Sequence, residues 1–369
     1  MVLLNTTNPI NKVVIYIIVI VMSLLVSFAT KRGFSTGCNT ARSTISKRTF
    51  GFSSSWSQGS SHQGGSASAA ANNFAAASAN LMPYNITVAY QPKDREESNL
   101  FKSKNHKPSP AQKSPTGEDN LFVSEKSKDG YIALGVADGV GGWSEAGYDS
   151  SAISRELCAS MKTIFEQQKE HADLTPKGLL ADAFKEIQDS PKVEIGGTTA
   201  CLGILTPDYK LKVANLGDSW CGLFRGYKLI NETNFQTHNF NTPYQLAKIP
   251  FQIVRQAELE GRRYIIDTPD RADEYSWDLQ KDDIIMFATD GVTDNVIPND
   301  IELFLKDKLE QQPKVDLADI SQSFVEEVVK VSKDVNFPSA FAQELSRLTG
   351  QKYLGGKEDD ITVVLVKVT

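Results

Sequence analysis

The sequence predicts an α+β fold with strands and helices segregated into layers. Three observations predict it. Strand-like and helix-like segments come in blocks, in the order strands, two helices, more strands, more helices and a final strand, rather than in βα alternation. The apolar runs assigned to strands are short, bounded by turn residues and below helix length. No repeat at solenoid spacing interrupts the order.

The chain has 369 residues. Its first 30 form an N-terminal hydrophobic segment: residues 13 to 30 carry no charge, Val13 to Val26 is almost wholly apolar, and Lys31 and Arg32 follow. This reads as a transmembrane anchor at the lower length limit, and its basic flank keeps the rest of the chain on the cytosolic side. Residues 31 to 80 are rich in Ser, Ala and Gly and basic without a single acid, the composition of a transit segment or of a disordered linker. Folded sequence is expected over 81–369.

Strands are expected at Tyr84–Tyr90, Asn120–Ser124, Tyr131–Ala137, Thr198–Leu205, Lys210–Ala214, Trp220–Arg225, Asp283–Thr289 and Ile361–Val368. Helical spacing places helices at Ser150–Gln168, with Ser150 or Ser151 as cap, and at Leu179–Ile187, Ile301–Leu309, Leu317–Lys333 and Ala340–Leu348. Residues 231–280 read as irregular, with one helical patch at Tyr244–Glu260. Asp129-Gly130 suits a hairpin turn and Gly217-Asp218-Ser219 a second turn.

Charge is unevenly placed. Residues 1–93 hold no Asp or Glu, so the remainder carries 32 Lys and Arg against 45 Asp and Glu, a net charge of −13. That balance argues against nucleic acid as a partner and suits a site that gathers carboxylates around divalent cations. Cys38, Cys158, Cys201 and Cys221 form no metal-binding spacing, which fits a reducing compartment.

Two strand-like runs, ending in Asp138-Gly-Val and Asp290-Gly-Val, place a carboxylate at each strand tip. Neither is followed by a strand that would complete a hairpin, so the metal-site reading is preferred to a simple turn. Glu118, Asp119, Asp218, Asp359 and Asp360 also stand at strand ends or in turns. No Ser–His or Cys–His pair has a supporting motif, and His238 is expected to be structural or at the surface. Gly139, Gly141 and Gly142 match neither nucleotide-loop pattern. An all-oxygen cluster without a protein nucleophile points to Mg²⁺ or Mn²⁺ and to phosphate-ester hydrolysis by a metal-activated water.

Six motifs sharpen this reading: Gly117-Glu-Asp-Asn, Val136-Ala-Asp-Gly-Val-Gly-Gly-Trp, Ile195-Gly-Gly-Thr-Thr-Ala, Asn215-Leu-Gly-Asp-Ser, Ala288-Thr-Asp-Gly-Val-Thr-Asp-Asn and Gly356-Lys-Glu-Asp-Asp-Ile-Thr-Val. In this order, from about residue 84 onward, the set resembles the type 2C protein phosphatases, metal-dependent serine/threonine phosphatases. Trp143 to Cys158, Asp218-Ser-Trp-Cys-Gly and Pro243-Tyr-Gln-Leu resemble the family's mitochondrial branch more closely. The resemblance implies an α-β-β-α sandwich of two antiparallel sheets flanked by helices, with a site for two Mg²⁺ or Mn²⁺ ions at one end. By position, Asp138 would bridge both ions and the Gly139 carbonyl would bind one. Asp290 and Asp359 would bind the other, and Glu118 and Asp119 would hold waters or a ligand position. Asp218 matches a residue that serves a third, weaker ion in some relatives.

The sequence departs from the family pattern twice. Val140 stands where many members have a histidine that protonates the leaving alcohol. Ser114 stands where many have a phosphate-binding arginine, with Lys113 beside it as a point-charge substitute. The branch implies phosphoprotein substrates in mitochondria, including proteins of ubiquinone biosynthesis, with the chain membrane-associated. An anchored form at the nuclear envelope or endoplasmic reticulum is the alternative location. A membrane-anchored pseudophosphatase would be signalled by loss of Asp138, Asp290 or Asp359, and all three are present. Hydrolysis of small phosphate metabolites is the other alternative.

Overall fold

The computed structural model describes residues 83–94, 114–311 and 316–369. The chain divides into a unit of Met1–Gln58 and a unit of Gly59–Thr369, and every described residue belongs to the second. The expected anchor at 1–30 and linker at 31–80 lie outside the described residues. Among those described, no helix is long and apolar enough to cross a membrane.

Two five-stranded antiparallel sheets form the centre. The first runs β1 (Tyr84–Gln91), β14 (Ile361–Val368), β13 (Ile284–Ala288), β7 (Trp220–Arg225) and β8 (Lys228–Glu232). The second runs β12 (Asp273–Asp278), β6 (Lys210–Leu216), β5 (Ala200–Leu205), β3 (Ile132–Asp138) and β2 (Asp119–Val123). Two small pairs complete the strands: β4 (Gly196–Thr198) with β11 (Leu246–Lys248), and β9 (Thr237–Asn239) with β10 (Thr242–Pro243).

The period-2 alternation of strand side chains explains why the central strands read as continuous apolar runs. Ile132, Leu134 and Val136 of β3 point between the sheets, where they join Val364, Val366 and Val368 of β14. Ala133 and Ala137 point the other way, into a core with α2 (Ser150–Gln167) and α3 (Pro176–Asp189), through Ile153, Leu157, Met161, Leu179 and Leu180. On the far face, Val363 and Leu365 pack against Phe304 and Leu305 of α6 (Pro298–Gln311) and Ile320, Phe324 and Val328 of α7 (Leu317–Lys333). Both faces of both sheets are covered, which is the expected α-β-β-α sandwich.

Sequence reading and structure differ in particulars. Asp149, not Ser150 or Ser151, caps α2, its side chain accepting from the Ser151 amide at 3.2 Å. The stretch Tyr244–Glu260 is not one helical patch: Leu246–Lys248 pairs with β4, and the helix α4 (Phe251–Leu259) begins only after Pro250. Residues 231–280 also contain β9, β10 and β12 and are not irregular throughout. Two short helices stand at the two Asp-Gly-Val tips. α1 (Gly142–Glu145) follows the first, whereas α5 (Asp290–Thr293) begins at Asp290 itself, so that Asp290 opens a helix two residues after β13 ends. α8 (Ala340–Thr349) precedes the last loop.

Strand direction then sets the position of the site. β3 and β13 end, and β2 and β14 begin, at the same edge of the sandwich, with Asp119 directly opposite Asp138 in the β2–β3 ladder. The turn after β6 crosses from one sheet to the other through Gly217, whose φ of 108° suits glycine, and sets Asp218 at that edge too.

Candidate active site

Each acidic group is held by its own backbone device. Asp119 is 1% exposed; its Oδ2 accepts from the Thr289 hydroxyl at 2.7 Å, and that hydroxyl in turn accepts from the Thr362 amide at 3.1 Å. Glu118 is 4% exposed, and its Oε1 accepts from Ser144 Oγ at 2.8 Å and from Ser150 Oγ. Using Ser150 in this way leaves the capping of α2 to Asp149.

Asp138 is half-buried at the tip of β3. Its amide donates to Thr199 Oγ1 at 3.0 Å, and its carbonyl accepts from Thr198 Oγ1 and the Thr199 amide, each at 2.9 Å. No protein hydrogen bond reaches its carboxylate among the described residues. Gly139 follows because a Cβ there would lie 2.4 Å from the Ser150 carbonyl oxygen.

Asp360, beside Asp359, clasps three chain segments. Its Oδ1 accepts from the Lys93 amide at 2.9 Å and its Oδ2 from the Glu118 amide at 2.8 Å. Gly117 lies against it at a φ of 72°, and a Cβ there would be 2.1 Å from Asp360 Oδ1.

Two lysines stand among the acids. Lys93 Nζ is 2.7 Å from Asp359 Oδ1 and 3.5 Å from Glu118 Oε2. Lys357 Nζ is 2.8 Å from Asp290 Oδ2, bonds Asp294 Oδ2, and lies 3.5 Å from Asp359 Oδ2. Among the described residues, no three His, Cys, Asp or Glu side chains close into a metal-ligating group by themselves.

The electrostatics follow from this crowding. Burial, then the carboxylates of Asp290, Asp119, Asp359 and Asp218, push the Asp138 carboxyl well above the usual range. Burial and then Asp360 raise Asp119; burial, then Asp290 and Asp294, raise Asp218. Asp294 is raised to about 7, chiefly by burial. Burial works against ionisation of Asp359 as well, but the Lys93 and Lys357 ammoniums outweigh it and hold that carboxyl at about 2.

This donor set fits a hard divalent cation. It is all oxygen, the Asp119 Oδ1 atom is buried without a hydrogen-bond partner among the described residues, and neighbouring carboxylates repel the charge of Asp138. A cation there would remove the like-charge repulsion and give both groups a partner.

The chain is 49% identical over 334 residues to protein phosphatase 2C homolog 7, mitochondrial, of Saccharomyces cerevisiae, covering 88% of this chain and 92% of that one. It belongs to the type 2C protein phosphatase family. The human protein phosphatase PTC7 homolog is 36% identical over 251 residues, 68% of this chain and 78% of that one. Among solved structures, the photosystem II phosphatase PBCP superimposes with a TM-score of 0.60 at 25% identity, covering 78% of this chain and 99% of that one. No protein-family model matches the chain.

The acids singled out in the sequence, Glu118, Asp119, Asp138, Asp218, Asp290 and Asp359, lie together at one edge of the sandwich. Three further groups there were not picked out by the sequence reading. Asp294 and Lys357 lie inside two of the quoted motifs, so only geometry distinguishes them. Lys93 is separated from Glu118 along the chain and reaches it through the Asp360 clasp. Lys113, the expected arginine substitute, lies outside the described residues. His238 bonds Asp267 Oδ2 at 2.8 Å and stacks on Tyr244, a structural role as expected.

Two outcomes test this account. Asparagine at Asp360→Asn offers one acceptor and one NH₂, so one of the two amide donors it now serves would meet another donor. With Mn²⁺ present, the variant is expected to lose about 1–3 kcal/mol in urea unfolding; an unchanged midpoint contradicts the clasp. Asp138, raised when folded, destabilises the metal-free protein at any pH above its unfolded value, and increasingly so until its folded value is reached. In EDTA, Asp138→Asn is therefore expected to melt higher than the parent at pH 8, with the advantage shrinking towards pH 4. Equal melting temperatures at pH 8 contradict the repulsion.

Proposed function

We propose that residues 81–369 form a catalytic domain that hydrolyses phosphoserine and phosphothreonine in proteins, with two Mg²⁺ or Mn²⁺ ions. The observation that carries the reading is a family-typical set of acids, in which Asp119 Oδ1 is buried with no hydrogen-bond partner among the described residues and Asp138 is repelled by neighbouring carboxylates. In this reading Asp138, the Gly139 carbonyl, Asp290 and Asp359 would hold the ions. Glu118 and Asp119 complete the set as ligands or as acceptors for water. When bound, such ions lower the pKa of water and neutralise charge on the phosphoryl group.

The chain's own residues do the rest. Thr289 and Ser150 fix the acids in place. Lys93, its side chain 30% exposed and its ammonium 2.7 Å from Asp359 Oδ1 and 3.5 Å from Glu118 Oε2, would meet a substrate phosphate as a point charge. With Val140 in place of a histidine and His238 engaged by Asp267, the leaving alcohol takes its proton from water.

The mitochondrial name of the yeast relative and the acid-free leader support a mitochondrial location, with residues 1–30 as membrane anchor and 31–80 as linker or transit segment. Phosphoproteins there, including those of ubiquinone biosynthesis, are the proposed substrates. The nuclear envelope or endoplasmic reticulum is the alternative address. The full chain is expected to release phosphate from a phosphothreonine peptide with Mn²⁺ and not with EDTA. Asp290→Asn is expected to lower turnover about 10³-fold, the loss of several kcal/mol of charge stabilisation. Metal-independent turnover, or a fully active variant, contradicts the proposal.

A further inference from the structure

Lys357 is held in a cage of oxygens at the outer side of the site. Its ammonium lies 2.8 Å from Asp290 Oδ2 and 3.2 Å from Asn241 Oδ1, bonds Asp294 Oδ2, and sits 5.4 Å from the centre of the Phe341 ring. The charges of Asp290, Asp294 and Lys357 all act on Asp218, in the turn between β6 and β7.

The backbone that carries this lysine has little room to withdraw. Its amide donates to Asn295 Oδ1 at 2.9 Å, and its carbonyl accepts from Asn295 Nδ2 at 2.8 Å. One residue earlier, the Gly356 amide donates to the Asp334 carbonyl at 2.9 Å, and a Cβ at Gly356 would lie 2.1 Å from the Val331 carbonyl oxygen. Ser339 Oγ ties down the Gly355 carbonyl at 2.6 Å.

We infer that Lys357 is a resident cation that takes the place of a third divalent ion between Asp218, Asp290 and Asp294, restricting metal to the Asp138 side. A Mg²⁺ or Mn²⁺ ion bound there would need carboxylate oxygens at about 2.0–2.2 Å around one point. The ammonium already fills that point and neutralises part of the same charge. Asp218 then acts as an electrostatic neighbour and not as a ligand, and Lys357 is a positioning residue that holds Asp290 through its Oδ2. The inference rests on the two-ion reading above.

The test is the number of Mn²⁺ ions bound per folded chain, measured by equilibrium dialysis with elemental analysis on the full chain and its variants. The parent and Asp218→Asn are expected to bind the same number, two. Lys357→Met is expected to bind one more than the parent, Lys357→Arg no more than the parent, and Lys357→Met with Asp218→Asn to lose the extra ion. A parent that binds three ions, with Asp218→Asn binding one fewer, overturns the inference while leaving the two-ion reading intact. Lys357→Met that folds, judged by its circular dichroism, and gains no ion overturns it as well. A parent that binds none overturns the two-ion reading itself. If Lys357→Met does not fold, the comparison of parent with Asp218→Asn still decides.

Discussion

The constraint on which the structure depends is like-charge crowding at low dielectric. Antiparallel strand order delivers Asp119, Asp138, Asp290 and Asp359 to one edge of the sandwich, where burial and mutual repulsion disfavour the charged forms of Asp119 and Asp138. The fold tolerates this because the sheets behind the edge are covered on both faces by apolar side chains. Function sits where the hydrophobic architecture ends and stability is locally given up.

Around the repelling acids the chain builds opposing devices of increasing reach. Hydroxyls come first, with Thr289 on Asp119 and Ser150 on Glu118. Amide pairs come next, with Asp360 joining the end of β1 to the turn before β2. Fixed ammoniums come last, with Lys93 and Lys357 on either side of Asp359. Each lowers the electrostatic strain without supplying a nucleophile. In the reading proposed here, the chemistry is therefore left to a metal-activated water.

Much of the fold was legible because buried strands announce themselves. β3, β13 and β14 are apolar on both faces, and a short apolar run has few other uses. β8 was not legible because most of its residues are exposed, and β9, β10 and β11 have only two or three residues each. Their pairing is set by tertiary contact, not by local pattern. The same limit applies to the site. Asp138 and Asp290 could be read from their place at strand tips, and Asp359 from its motif. Lys93 could not, because nothing local to it says that Asp360 will draw its backbone against Glu118. Residues 1–80, where the anchor and linker are expected, lie outside the described residues, as do 81–82.

The most direct test of the central claim is a crystal structure of the protein grown with Mn²⁺, with the anomalous signal of the metal used to place it. The account predicts anomalous peaks beside Asp138, within ligand distance of Asp290 and Asp359, with Lys357 still bonded to Asp294. Peaks absent from the Asp138 edge at saturating Mn²⁺, with the carboxylates arranged as they are without metal, would contradict it.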